Sequence, residues 1–295
     1  MEIAFYGASF TLLPPSVRDG LLMVAARLKR RGEVTAIRLS TRPDGIDPQT
    51  VSLLRRCDVD LVEIGVQSFD PAVLSASRRG HSPEDAERAV VLLKEGGVGV
   101  GIHLMTGLPG DTPSLSRASM ERAIGLKPDL VRIHPVVVLE GSELACMMRR
   151  GEFQPWDDRT TVHTLKVMYH LALVRGVTVA RIGLQADRFQ NDGSVVGGFW
   201  HPSTGEIVRS ALWGDFLERV VGKRRSSLLA IRTHPSSVSA AVGYGGENRR
   251  AIQRRTMARS IRFLSDPSLD RRAVAIEGEG WSVGGNLVRD LVYEQ

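Results

Sequence analysis

Short apolar runs alternate along the first 185 residues with stretches whose apolar positions recur every three or four. The runs lie at 2–6, 34–39, 60–66, 98–104, 130–138 and 177–184. The helical stretches lie near 16–31, 48–57, 71–78, 83–96, 114–125, 141–150 and 157–175. Apolar runs separated by helices predict parallel βα units. Asp47-Pro48, Ser82-Pro83 and Thr112-Pro113 each set a capping side chain before a proline at the first helical position. Gly97 and Gly176 stand where helices should stop.

The pattern changes after Leu184. Residues 186–221 are punctuated by Gly, Asp and Trp and read as an irregular connector with one short helix. Residues 227–264 form a separate unit: a strand at 227–232, a short helix at 236–242 and a Gly243-Tyr244-Gly245-Gly246 turn, then a helix at 247–259 and a strand at 260–264. The expected domains are 1–185, a connector at 186–221 and a basic unit at 222–295. There is no tandem repeat and no low-complexity tract.

Composition narrows the class. With 295 residues, 42% hydrophobic and 24% charged, the chain suits one large globular domain plus a small one. No apolar run reaches the roughly 18 residues of a membrane span, so a cytoplasmic protein with no membrane partner is expected. Only Cys57 and Cys146 are present, which excludes a disulfide framework and a local multi-cysteine metal loop. Each reads as a small buried hydrophobe. The net charge of +6 is concentrated: residues 223–262 hold ten Lys/Arg against one acid, Glu247, leaving +9 in that window. A basic surface of this kind points to a polyanion.

In parallel βα folds, ligands bind at the carboxyl ends of the strands. The loops there are Gly7-Ala8-Ser9-Phe10-Thr11, Ser40-Thr41-Arg42-Pro43-Asp44, Gly65-Val66-Gln67-Ser68-Phe69-Asp70, Gly107-Leu108-Pro109-Gly110-Asp111-Thr112 and His134-Pro135. Small residues let backbone approach a ligand closely. Arg42, Gln67 and the hydroxyls could hold carboxylate, amine and ribose groups. Each loop alone is an ordinary turn; five in series on one face suggest a site. His103 and His134 sit at strand ends and divide between pocket and structural roles. His163 and His170 share a helix face and read as packing or surface residues.

At these loops the sequence resembles the radical S-adenosylmethionine superfamily, and within it the branch of the Elongator catalytic subunit and the oxygen-independent coproporphyrinogen oxidases. The matching segments are Phe5–Thr11, Leu39–Asp44, Glu63–Asp70, Arg79-Gly80-His81 and Leu104–Thr112, together spanning about residues 2–185. The resemblance implies an α/β partial (β/α)6 barrel holding S-adenosylmethionine across its strand ends. It implies that Gly7, Ala8 and Ser9 meet the methionyl amino group, with Ala8 where the family has glycine. Ser40 and Arg42 would lie near ribose and carboxylate, Gln67 and Arg79 at further methionyl contacts, and Gly107, Pro109 and His134 at the adenine.

The family's chemistry also requires a CxxxCxxC loop whose thiolates hold a 4Fe–4S cluster. That loop and the strand before it are missing here, so the barrel is expected to lack its first βα unit. Met1 then reads as an internal methionine of a longer enzyme, and the chain as given should be inactive. No residue is assigned as catalytic or as a metal ligand.

The C-terminal pattern resembles a KH-type RNA-binding unit, an α+β fold that clamps phosphates with a GxxG loop between two helices. Gly243, Gly245 and Gly246 would form the clamp, with Arg249 and Arg250 beside it. The Elongator branch points to the same partner, RNA and transfer RNA in particular, although no acetyltransferase-like segment is present. The alternative is a non-catalytic RNA-binding protein that keeps the barrel as scaffold. A third reading, chemistry on a porphyrin-like substrate, leaves the basic unit unexplained.

Overall fold

The computed structural model describes residues 1–7, 9–184 and 193–293. Six parallel strands form one curled, half-barrel sheet in the order β1-β2-β3-β4-β5-β7. They are β1 (Glu2–Phe5), β2 (Ala36–Thr41), β3 (Leu61–Gln67), β4 (Gly99–Thr106), β5 (Leu130–Pro135) and β7 (Thr178–Ile182). Helices α1 (Pro15–Arg30), α2 (Pro48–Arg56), α3 (Pro71–Ala76), α4 (Pro83–Glu95), α5 (Pro113–Gly125), α6 (Glu143–Arg149) and α7 (Asp158–Val174) lie between them. The capping signals act as expected. Asp47 accepts from Thr50 N at 2.6 Å, Thr112 accepts from Leu115 N at 3.2 Å, and Ser82 and Asp85 form a reciprocal capping box. Gly97 and Gly176 close their helices at φ +71° and +70°.

Strand alternation divides the sheet into two unlike faces. Ile37, Leu39, Val62, Ile64, Ile102, Leu104, Val131 and Ile133 point toward the helices and are fully buried in the main core. Their neighbours Arg38, Ser40, Glu63, His103, Arg132 and His134 point to the other, concave face. A parallel sheet normally shows apolar residues on both faces. The charge on this one marks it as the wall of a site.

Two expectations need correction. The run at 130–138 is two strands: the ladder with β4 runs to Pro135, where Val136 N still bonds Thr106 O at 2.9 Å, and the chain departs after it. The second, β6 (Val137–Leu139), leaves the barrel sheet and pairs antiparallel with β8 (Val195–Gly198). Where one short helix is expected, Thr204–Val221 forms the 18-residue α8. Glycines hid it. Gly214 sits mid-helix, where a Cβ would stand 2.5 Å from Asn248 Oδ1. Asn248 Nδ2 bonds Ser210 O at 2.8 Å and Ala240 O at 3.0 Å, so the missing side chain brings the next helix close.

The C-terminal unit is α+β. Strand β9 (Leu228–Thr233), helices α9 (Val238–Val242) and α10 (Glu247–Thr256), and strand β10 (Ser260–Ser265) follow the expected order. Met257 at φ +60° ends α10 three residues before the expected end. A hairpin not foreseen from the sequence, β11 (Ala273–Gly278) and β12 (Trp281–Asn286), completes a sheet in the order β10-β9-β11-β12. The short α11 (Leu287–Asp290) follows. Val208 of α8 belongs to the barrel core, whereas Leu212, Trp213, Phe216, Leu217, Val220 and Val221 belong to the C-terminal core.

Candidate functional site

The concave face is organised around Glu63, which is fully buried in the middle of β3. His103 Nε2 lies 2.5 Å from Glu63 Oε2, and Arg132 Nη2 donates to Oε1 at 3.0 Å. The Tyr6 hydroxyl donates to the same carboxylate. Arg132 Nε approaches Oε2 at 2.5 Å but off the hydrogen-bonding direction. The Arg132 guanidinium also lies over the Tyr6 ring, 5.5 Å from its centroid. Burial alone would push the Glu63 carboxyl up. Hydrogen bonds from His103 and Tyr6 outweigh it, as do the His103 and Arg132 interactions, and hold the carboxyl at about 2. Burial and the bond to Glu63 push the Tyr6 phenol up to about 12.

His134 stands beside this network, its ring 5.7 Å from His103 and edge-on to it. Its Nδ1 is 3.1 Å from Gly183 O, an atom that can only accept, so Nδ1 carries the proton and Nε2 is left as an acceptor. Burial, then the nearby His103, depress His134 to about 4.

The residues named from the sequence fall into three groups around this face. Ser40 and Gln67 stand at the ends of β2 and β3. Gln67 has φ +70° and folds back over Gly65, where an added Cβ would meet its Nε2 at 2.7 Å. Arg42 reaches the segment that carries Arg79. Arg42 donates to Asp44 at 2.9 and 2.8 Å and to Gly80 O at 3.1 Å. The Arg79 Nη2 lies 3.0 Å from Met105 Sδ, and its Nε is buried without a partner. Burial lowers its pKa. Gly107 and Pro109 are buried in the β4–α5 loop. There Asp111 accepts from Gly107 N and Thr112 N at 2.8 Å each and from Ser116 Oγ at 2.7 Å. Gly107, at φ +80°, lies against the Trp156 ring, 3.4 Å from where its Cβ would be. Gly7 leaves β1 at φ +99°, and the Ser9 hydroxyl caps nothing. Ala8 lies outside the described residues.

The sequence reading named no role for Tyr6, Glu63 or Arg132. The signal was present: a charged residue between two apolar ones in a strand core, Val62-Glu63-Ile64 and Val131-Arg132-Ile133.

The residues named in the C-terminal unit lie together on the turn before α10 and on α10 itself. Gly243, Gly245 and Gly246 have φ of +90°, +57° and +77°. Arg250 Nη1 donates to Gly245 O at 2.7 Å, and the Arg249 guanidinium lies over the Phe263 ring at 5.8 Å. Both charges stay at the surface.

The radical SAM superfamily profile matches residues 2–120, and that of the Radical_SAM C-terminal domain matches residues 128–213. The chain belongs to the radical SAM superfamily. It is similar to the tRNA uridine(34) acetyltransferase of Methanocaldococcus infernus, 35% identical over 133 residues, which are 44% of this chain and 25% of that protein. It is also similar to the heme chaperone HemW of Mycobacterium tuberculosis, 31% identical over 127 residues, 43% of this chain and 33% of that one. The chain thus spans a quarter to a third of these relatives. Among solved structures, Methanocaldococcus infernus Elp3 with an N-terminal deletion superposes with a TM-score of 0.65 at 26% identity, covering 77% of this chain and 57% of that one.

Fit to the family's two groups differs. The concave face suits S-adenosylmethionine: a buried guanidinium donor without a partner, glycines at close approach, and an unprotonated His134 nitrogen. The cluster does not fit the residues described. Cys57 is buried in the apolar core, Cys146 lies on α6, and no group of three metal-binding side chains occurs among the described residues. No described helix is long and apolar enough to cross a membrane.

Proposed function

We propose that this chain holds S-adenosylmethionine on the concave face of its half-barrel and belongs to an enzyme that modifies RNA, transfer RNA in particular. The observation that carries the first part is Arg79. Its guanidinium is desolvated, with Nε unpartnered. A buried donor of this kind is stabilised by a carboxylate such as that of a methionyl group. In this superfamily the bound cofactor supplies a 5′-deoxyadenosyl radical once reduced. Here Arg42 and Arg79 would orient its carboxylate, Gln67 and Ser40 would bond the methionyl and ribose groups, and His134 would accept from the adenine. The transfer RNA assignment is supported by the similarity to tRNA uridine(34) acetyltransferases and by the basic unit.

Calorimetric titration with S-adenosylmethionine tests the cofactor reading. Arg79→Ala should weaken binding about tenfold or more, as loss of a charge-assisted contact does. Unchanged binding would remove the assignment.

The isolated positions of Cys57 and Cys146 favour a second reading, an RNA-binding protein that keeps the barrel as scaffold. It predicts RNA affinity that falls steeply with salt, depends on Arg249 and Arg250, and does not respond to iron, sulfide or S-adenosylmethionine.

A further inference from the structure

A cavity of about 470 Å³ opens where α7, α8 and the C-terminal unit meet, and none of its lining residues is on the concave face of the barrel. Its floor is apolar and aromatic, with Tyr169, Trp213 and Leu287 among its residues. Three arginines from two directions are among its lining residues: Arg209 from α8, and Arg271 and Arg272 from the turn before β11. None of the three is in an ion pair among the described residues. Arg209 and Arg272 both act on the partly buried Tyr169 hydroxyl, which also lines the cavity, lowering a pKa that burial raises.

One acid, Glu206, also lines the cavity and accepts from Ser239 Oγ at 3.3 Å. It leaves two positive charges uncompensated. Unpaired arginines gathered at one cavity repel, and a fold gains by placing an anion among them. The tetrahedral oxygens of a phosphate suit three guanidinium forks, and Ser236 lines the mouth of the same cavity.

We propose that this cavity is a phosphate-binding pocket, with Arg209, Arg271 and Arg272 as the anion ligands. The phosphate comes either from a small phosphorylated molecule or from an RNA backbone. Helix α9, which contributes Ser239 and Ala240 to the cavity, runs directly into the Gly243–Gly246 turn. A backbone crossing that turn would pass the pocket mouth. The pocket itself does not depend on the RNA reading.

The test is calorimetric titration of the full chain with pyrophosphate at constant ionic strength, alongside a transfer RNA binding assay. The variants are Arg209→Gln/Arg272→Gln and, independently, Ser239→Glu, which sets a negative charge at the mouth. None of these side chains supports a core residue, so far-ultraviolet dichroism and melting temperature should match the parent protein. Pyrophosphate affinity should fall at least tenfold in both variants and stay unchanged in an Arg254→Gln/Arg262→Gln control. A parallel fall in transfer RNA affinity, with pyrophosphate competing, assigns the phosphate to RNA. Intact transfer RNA binding with pyrophosphate binding lost assigns it to a small molecule. Pyrophosphate affinity equal in variant and parent, or no pyrophosphate binding to the parent protein, overturns the proposal.

Discussion

Glu63 and His103 face each other at 2.5 Å across adjacent strands, with the carboxylate fully buried and both of its oxygens engaged. The pair places a fixed negative charge at the centre of a concave wall that also holds Arg132, Arg38 and Tyr6. Removing it leaves Arg132 without a counter-charge in a desolvated site, and Tyr6 and His103 without their acceptor. Glu63→Gln should therefore destabilise the fold by about 3 kcal/mol, the scale of a broken buried ion pair. Urea unfolding at pH 7 measures it, and a loss under about 1 kcal/mol would mean that water reaches the site.

The same site predicts a two-part acid response. His134 is depressed from 6.5 to about 4 in the folded state, so the unfolded chain binds its proton first as pH falls. Its stabilising contribution is complete above about pH 6.5 and is lost on acidification toward pH 4. Glu63 is depressed from 4.5 to about 2, so its contribution is present above about pH 4.5 and is lost below that. Stability should decline from pH 6.5 through the His134 window and go on declining below 4.5 through the Glu63 window. His134→Gln should flatten the upper part only, as denaturant midpoints at pH 7, 5.5 and 4 would reveal.

Tyr293 latches the end of the described chain onto the barrel helices. Its hydroxyl donates to Asp215 Oδ2 at 2.6 Å, an oxygen that Lys166 Nζ also meets at 2.5 Å, and the His163 and His170 rings pack edge-on against it. Burial and Asp215 both raise the Tyr293 pKa. Tyr293→Phe keeps the ring contacts and leaves Asp215 paired with Lys166, so it should cost about 1 kcal/mol. Tyr293→Ala should cost about 3 kcal/mol by losing the packed ring. Equal losses in the two melting curves would show that the hydroxyl, not the ring, holds the segment.

The glycines of the Gly243–Gly246 turn are not equivalent. At Gly243 an added Cβ would stand 2.6 Å from Asn248 N on top of a φ of +90°, whereas at Gly245, at φ +57°, it would meet nothing within 4 Å. Gly245→Ala should cost about 1 kcal/mol, the left-handed penalty alone. Gly243→Ala must also displace α10, and should cost about twice as much or more. A melting-temperature comparison decides, and equal shifts would argue against the close approach.

The parallel βα order was readable because strand runs, caps and glycine stops agreed with one another. Asp47, Ser82 and Thr112 each cap a helix where a proline follows. Local signals failed where tertiary partners set the structure. Nothing near Pro135 announced that the chain beyond Val136 would leave the barrel sheet to pair with the distant β8, and Gly214 in α8 has meaning only beside Asn248. In the site, the glycine turns and Arg42 were visible as loop residues. Glu63 and Arg132 were hidden inside apolar strands, because their significance lies in facing each other across a sheet.

Helix α8 shares its apolar residues between two cores, with Val208 in one and Phe216 and Val221 in the other. The barrel and the basic unit are thus joined by one continuous helical strut, not by a slack tether. An RNA gripped at the far end would have its reach measured out by that strut. Which nucleotide arrives at the concave face would then be chosen by counting along the strand from a fixed grip, before any base is read.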